Sequence, residues 1–491
     1  MTMTKALVIP VMFLALVVRL GQMRGANLWF DEAIEFNVAN RPIREVIAAD
    51  RASTHDPPLF SLVLNLWNFD GRTDYYLRIL PVSLSLLAVA VTFALGQLAY
   101  SPGVGWLGAL LVAVAPRAVF YGQEVNQYAM VLLFAVLCPL LLERYLRRPS
   151  TRRLLRFIFA GAAAILTHYQ LALYVFALAL IATFGLLRHA PKGDRRQLIL
   201  WIAGLTMLGL VGIGLLWSYA LPQKARLPPE FAPARYSSPL AVGAEIKGWV
   251  YQSVEIIGFL FWGFEPTPLR WLAVGLLLWG GHVSLWIPQS RRLPLYLLTG
   301  LVVAYCAAGL GFFLYAHRYL WFAFPLSVLL VSAGILSPTL FGQRGFFRVG
   351  ASGVIAIGFV SLLIARLPLV SGKPFTETEQ LGEVVRYVEE HRQPGDTVYV
   401  YYGATPAFRV YAGDQLSALA VVEGWARNVS PEQRRANLWA VVGEKPRAWI
   451  LMSHVNADDE AVWLSLLNAK CRPTDAIRTV HAVGYLFDCS A

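Results

Sequence analysis

Long apolar runs separated by short arginine-rich connectors constrain this chain more than any other feature. Leu198 to Trp217 and Pro294 to Tyr315 carry almost no charge, and each is about as long as the ~20 residues a helix needs to cross a ~30 Å hydrocarbon core. Inside a bilayer no backbone group can stay unpaired, so such runs are helices. The composition agrees. A chain of 491 residues that is 57% hydrophobic and only 15% charged has too much apolar surface for a water-soluble globule.

The formal net charge of +12 raises the question of nucleic acid, and the placement of the basic residues answers it. Arg144, Arg147, Arg148, Arg152, Arg153 and Arg156 share one connector. Arg188, Lys192, Arg195 and Arg196 share a second, Arg291 and Arg292 a third, and Arg344 with Arg348 mark a weaker fourth. That is the positive-inside pattern of a multi-pass membrane protein. No nucleic-acid partner is expected.

Spans are predicted near 6–22, 76–98, 103–120, 127–143, 154–167, 169–187, 198–217, 269–288, 294–315, 320–338 and 349–367, about eleven crossings at the length the bilayer requires. The first is read as a retained span, because no small-residue cleavage site follows it. The apolar stretch from Trp249 to Phe264 carries Glu255; as a crossing it would put Arg291 and Arg292 on the wrong side, so it is read as interfacial or re-entrant. With the basic connectors inside, parity places the N-terminus in the cytoplasm and everything after Pro368 outside. The expected fold class is therefore an α-helical polytopic membrane domain, residues 1–368, followed by a small extracytoplasmic domain, residues 369–491. In the latter, polar helices such as Thr376 to His391 alternate with β-rich runs such as Thr397 to Tyr402 and Ala448 to Met452, the pattern of an α/β domain. Cys138 and Cys306 fall within apolar spans as small core residues. Cys471 and Cys489 lie in the tail and can pair if it faces an oxidising compartment.

The same parity gathers the chemically capable residues on the outer face. The first outer loop opens Leu28-Trp29-Phe30-Asp31-Glu32-Ala33, and holds Ser53-Thr54-His55-Asp56-Pro57-Pro58-Leu59 further on. Asp31 can simply cap a juxtamembrane helix, and Asp56 before proline is an ordinary helix start; neither explains His55. The next outer turn reads Phe120-Tyr121-Gly122-Gln123-Glu124-Val125-Asn126-Gln127-Tyr128-Ala129, a polar knot between two apolar helices. Ionisable groups near membrane depth are expensive and face an internal cavity, which favours function for Glu124. Thr167-His168-Tyr169-Gln170 repeats this at the following outer turn, where an aromatic belt also accounts for Tyr169. The last outer turn holds His317, Arg318, Tyr319 and Trp321. Arg318 runs against the inside bias, either snorkelling to the interface or holding a phosphate through charge-assisted hydrogen bonds.

Taken in order, Trp-x-Asp-Glu-Ala, His-x-Pro-Pro-Leu, Tyr-Gly-Gln-Glu-x-x-x-Tyr-Ala and a late Arg-Tyr resemble the bacterial dolichyl-phosphate-mannose–protein mannosyltransferase-like superfamily, which includes aminoarabinose transferases. The resemblance covers roughly residues 6–368, and Gly395 to Tyr401 is similar to the outer domain of many members. It implies a multi-span glycosyltransferase fold with juxtamembrane helices in the first outer loop, a bacterial plasma-membrane location and a polyprenyl-phosphate sugar donor. Transfer would be inverting, to an extracytoplasmic acceptor such as a protein, lipid A or a cell-envelope glycan. Carried over by motif, Asp31 is the catalytic carboxylate with Glu32 beside it, and Glu124 is the second acidic position. Arg318 faces the donor phosphate; Gln123, Tyr128, His55, His168, His317 and Tyr319 are the substrate-binding candidates. Where relatives commonly carry Arg or Lys two positions after the Gln-Glu pair, this chain has Asn126, which shifts phosphate binding onto Arg318 and His317.

No cofactor is expected. Oxygen and imidazole ligands suit several divalent ions, but no ligand pair has diagnostic spacing. The rival reading is a transporter or flippase for lipid-linked sugars, a class that places its charges at mid-membrane on broken helices. A receptor with a ligand-binding outer domain is the other.

Overall fold

A computed structural model describes residues 8–21, 23, 27–53, 56–68, 74–189, 195–226, 256, 258, 260–261, 269–310, 317–342, 346–371, 379–412, 421–423, 431–442, 445–455 and 457–490. His55, most of the 249–264 stretch and the outer loop beyond 226 lie outside the described residues. The chain forms two compact units. One comprises Met1–Met23, Asp50–Phe60 and Arg78–Lys373, the other Arg24–Ala49, Ser61–Leu77 and Pro374–Ala491.

The described residues of each segment expected to span lie mainly on helices; residues 6–7, 22 and 311–315 of those segments lie outside the described residues. By length and composition, five of the described helices can cross a membrane: Asp74–Ala99, Tyr128–Arg147, Tyr169–Arg188, Arg195–Gln223 and His317–Ile335. Val8–Leu20, Pro102–Val114, Arg292–Ala308 and Val349–Ala365 are shorter apolar helices. Burial separates core from periphery. The His317–Ile335 window is 89% buried, whereas that of Arg195–Gln223 is 17% buried and leaves Ile199, Leu210, Ile213 and Trp217 exposed. A helix that is apolar on its bare face needs lipid there. Cys138 is buried as expected, but Cys306 is exposed; its helix is apolar all round, so hydropathy alone could not tell a protein-facing position from a lipid-facing one.

Leu269–Trp286 and Phe324–Ile335 pack backbone to backbone. A Cβ added at Gly280 would overlap the Leu330 carbonyl, and one at Gly334 would stand 2.6 Å from the Leu276 carbonyl oxygen. Small residues permit this approach, which drives helix association where water offers no hydrophobic force.

In the second unit a five-stranded sheet runs β2-β1-β3-β5-β4, with β1 Thr397–Val400, β2 Val421–Glu423, β3 Arg447–Ser453, β4 Arg472–Thr479 and β5 Ala482–Asp488. β1 pairs in parallel with β2 and β3, while β5 lies antiparallel between β3 and β4. Every residue of β1 is buried, as a central strand covered on both faces requires. Asp396 ties the start of β1 to β3, accepting from Arg447 Nε at 2.9 Å and Trp449 Nε1 at 3.2 Å. Tyr399 and Tyr401 are buried and pack the core. Cys471 and Cys489 form a disulfide.

Helices Phe30–Ala39, Ile43–Ser53 and Leu59–Trp67 occupy the segment where juxtamembrane helices are expected. Val38, Val46 and Ala49 form a small apolar core, with Leu62 packed against it.

Gly280→Leu is expected to abolish the monodisperse peak in fluorescence-detected size exclusion. Gly275→Leu, on the same helix but with nothing within 4 Å of its added Cβ, should leave it intact.

Candidate functional site

The first unit builds a polar site from four chain segments. Pro116 has no N–H to offer the Val112 carbonyl, and the extended Ala115 ends helix Pro102–Val114 before helix Pro116–Tyr121 begins. Fully buried Arg19, from helix Val8–Leu20, supplies the missing donors. Its guanidinium gives hydrogen bonds to Ala113 O at 2.9 Å, Val112 O at 3.2 Å and Ala118 O at 3.4 Å. It also reaches Ser85 Oγ at 2.9 Å and Ala15 O at 3.1 Å. A buried arginine is tolerable only when its donors are this fully used.

The break leads into the turn 122–127. Gln123 anchors it at both ends: its Nε2 donates to Arg19 O, and its own carbonyl accepts from Arg78 Nη1 at 3.2 Å. Gln123 therefore holds the turn. Glu124 is buried, its Oε1 3.4 Å from Asn126 Nδ2. Asn126 Oδ1 accepts from Gln127 N at 2.7 Å, so the residue standing where a cation was expected shapes the turn itself.

The carboxylate at the centre is Asp56. Its Oδ2 accepts from Gln127 Nε2 at 2.6 Å, and its Oδ1 lies 3.2 Å from His168 Nε2. His168 Nδ1 accepts from the Gln170 backbone N–H at 3.1 Å, which leaves the proton on Nε2, facing Asp56. Burial, reinforced by the Arg318 charge, pushes the His168 imidazole down to about 3. The imidazole is thereby held uncharged, with Nε2 turned toward the Asp56 carboxylate. Asp56 was readable only as a helix start; helix Leu59–Trp67 begins three residues later, and the Asp56 oxygens go to the turns instead.

The last turn, His317–Ala323, is 3₁₀. Gln170 fastens it, with Oε1 accepting from Phe322 N at 3.0 Å and Nε2 donating to Arg318 O at 3.4 Å. Arg318 is half-buried; its Nη2 donates to Tyr319 Oη at 3.1 Å and its guanidinium lies 5.1 Å from the Tyr319 ring centre. His168 stands 6.0 Å from the Tyr319 ring and 6.1 Å from that of Tyr128. Tyr121 packs on Tyr128 at 4.5 Å and on Trp321 at 4.9 Å. Thus Tyr128, His168, Arg318 and Tyr319 come together as one cluster, with Asp56, Gln127 and Gln170 added. His317 opens the same turn, half-buried. Among the described residues no group of three or more His, Cys, Asp or Glu side chains is placed to hold a metal ion.

In the second unit Asp31 and Glu32 occupy the first turn of helix Phe30–Ala39. Their roles divide. Glu32 is fully buried and its Oε2 accepts from Trp29 N at 3.2 Å, closing the helix start as a capping-box glutamate does. Asp31 is half-buried one residue earlier. Glu35, also buried, accepts from Ser61 Oγ at 3.1 Å.

Fold and site together define a class: a helical unit whose apolar helices are long enough to span a membrane, with a second unit built around a mixed five-stranded sheet. The sequence matches the dolichyl-phosphate-mannose-protein mannosyltransferase family over residues 55–217, a range that contains Asp56, the 122–127 turn and His168. No curated protein matches the sequence. Among solved structures it is similar to ArnT from Cupriavidus metallidurans in the apo state, with TM-score 0.58 and 14% identity over 98% of both chains. It is also similar to the same protein bound to undecaprenyl phosphate, with TM-score 0.57 and 14% identity over 98% of this chain and 97% of that one. An Archaeoglobus fulgidus oligosaccharyltransferase in complex with zinc and sulfate follows, with TM-score 0.54 and 12% identity over 98% of this chain and 72% of that one. The resemblance read from the motifs, to mannosyltransferase-like and aminoarabinose-transferase-like membrane proteins, is thus present in both the family match and the fold.

A histidine whose folded pKa is lowered binds fewer protons than its unfolded counterpart between about 3 and 6.5, so stability falls as pH drops through that window. Wild-type protein should lose more thermal stability between pH 6.5 and 4 than His168→Gln, read by differential scanning fluorimetry. Equal losses would contradict a neutral, buried His168.

Proposed function

We propose that the protein is an integral membrane glycosyltransferase that moves a sugar from a polyprenyl-phosphate donor to an acceptor outside the cytoplasm, with inversion at the anomeric carbon. The observation that carries this reading is the cluster of Arg318, Tyr319, Tyr128, neutral His168, Asp56 and Gln127, built from four chain segments of one helical unit. A half-buried arginine beside tyrosine hydroxyls and a fixed neutral imidazole suits a lipid phosphate. The family match and a fold shared with a protein bound to undecaprenyl phosphate support that donor class.

In the proposed reaction an acceptor hydroxyl attacks the anomeric carbon, its proton passes to the Asp31 carboxylate, and the bond to the phosphate oxygen breaks. The polyprenyl phosphate leaves as a stable anion, so a base matters more than an acid. Arg318 balances the charge that develops on the departing phosphate. Glu32 positions the helix that carries Asp31, and Gln123 and Asn126 shape the turn that carries Glu124. His55 and His317 are assigned to substrate contact by motif. No metal is required in this scheme, and transfer is expected to survive EDTA.

The topology proposed for this activity has eleven crossings in residues 1–368, a cytoplasmic N-terminus in a bacterial plasma membrane and residues 369–491 outside. Reporter fusions after Arg196 and after Gly372 should report opposite sides; matching signals would overturn it.

Purified protein incubated with a panel of radiolabelled polyprenyl-phosphate sugars should release polyprenyl phosphate from at least one donor. Asp31→Asn is expected to lower kcat ~10²–10⁴-fold, the contribution of a positioned base, and Arg318→Ala ~10²–10³-fold, as for loss of one charge-stabilising donor. Wild-type rates in both well-folded variants would sink the residue assignment, and no release from any donor would favour a transporter.

A further inference from the structure

Three separate segments of the C-terminal chain converge on residues 27–37. Gly382 N donates to Asn27 Oδ1 at 3.0 Å. Pro406 O accepts from Asn37 Nδ2 at 2.9 Å. The His454 ring stacks on Phe30, centroids 4.6 Å apart and planes 13° from parallel, while His454 Nδ1 is held 2.9 Å from buried Glu379 Oε1. Between these lies Tyr411, at the end of helix Thr405–Tyr411. Its hydroxyl accepts from Leu28 N at 2.5 Å and donates to Asp74 Oδ2 at 2.5 Å.

Tyr411 spends both hydrogen-bonding functions of its hydroxyl here. Leu28 precedes the helix start, where backbone amides lack helical partners, and Asp74 begins helix Asp74–Ala99, so one oxygen spans both ends of the 28–74 excursion. Burial, with the Asp74 carboxylate beside it, holds this hydroxyl well above the ordinary tyrosine range, so it keeps its proton. His454 adds rigidity of its own: it adopts a left-handed backbone, φ 53°, which a histidine occupies only where its surroundings demand it.

We infer that Tyr411 is a positioning residue for Asp31, fixing the start of helix Phe30–Ala39 through the Leu28 amide and the Asp74 carboxylate. The inference rests on the reading of Asp31 as the base. It gives the C-terminal α/β domain a function in transfer: it sets the orientation of the helix on which that carboxylate is carried. Misplacement of a reacting group by about 1 Å can cost ~10²-fold in rate, so a lost hydroxyl is expected to show in turnover before it shows in affinity.

The test uses full-length protein in detergent. Tyr411→Phe should lower kcat about tenfold to a hundredfold with donor KM changed less than about twofold, because donor contacts are assigned elsewhere. Asp74→Ala should match it, the double variant should be no worse than either single one, and Asp74→Asn, which still offers an acceptor, should restore most of the rate. Hydrogen exchange read by mass spectrometry should rise at residues 28–36 in Tyr411→Phe and stay unchanged in helix Tyr128–Arg147, which separates loosening from unfolding. Unchanged exchange at 28–36, a KM effect in place of a kcat effect, or additive losses in the double variant would each overturn the inference. Asp31→Asn is assayed alongside: retained transfer there removes the base assignment and the catalytic part of this inference, while raised exchange in Tyr411→Phe still upholds the structural connection.

Discussion

Arg19 is the interaction on which the polar turns of the helical unit depend. A proline at 116 ends a helix among apolar neighbours, where an unpaired carbonyl costs several kcal/mol. The Arg19 guanidinium answers that cost by donating to Val112, Ala113 and Ala118, and its own backbone carbonyl holds Gln123. Once the chain is bent there, residues 122–127 form a turn instead of continuing a helix. Glu124 is presented on that turn and Gln127 can reach Asp56. Space is as tight as the bonding: a Cβ at Gly122 would stand 2.6 Å from Ser85 Oγ and 2.8 Å from Arg19 Nε.

From that bend outward the cluster is preorganised by neutral groups. Asp56 is held by a glutamine and faces an uncharged histidine, and Arg318 leans on a tyrosine. Gln170 clips the 3₁₀ turn with both ends of its amide. Preorganised dipoles of this kind stabilise developing charge without reorganising during reaction. The charges that matter for chemistry are left to a few residues whose neighbours are fixed by hydrogen bonds.

How much of this was legible depended on whether the cause was local. Apolar length marks a helix wherever it sits, so the described part of each expected span is helical, and the mixed sheet appears around Thr397 to Val400 and Arg447 to Ser453 as alternation suggested. The cluster of Tyr128, His168, Arg318 and Tyr319 was visible because polar groups at apolar helix ends have few ordinary explanations. Asp56 was hidden by having one, since aspartate before proline is what a helix start looks like. Glu32 has a local cause that the sequence also contained: it stands beside Asp31, and its position three residues after Trp29 lets it cap the helix start. Tyr411 and His454 left no signal at all. Their partners among residues 28–74 lie hundreds of positions away in sequence, and only the folded second unit, which joins 24–49 and 61–77 to the C-terminal chain, shows what they hold.

The central claim, that the Arg318 cluster receives a lipid phosphate, is most directly tested by native mass spectrometry of the detergent-purified protein with undecaprenyl phosphate and with undecaprenol. Wild-type protein should prefer the phosphate by about tenfold or more, as one charge-assisted contact of roughly 1.5–3 kcal/mol requires, and Arg318→Ala should erase the preference. Equal retention of both lipids by the wild type, or an undiminished preference in Arg318→Ala, would contradict it.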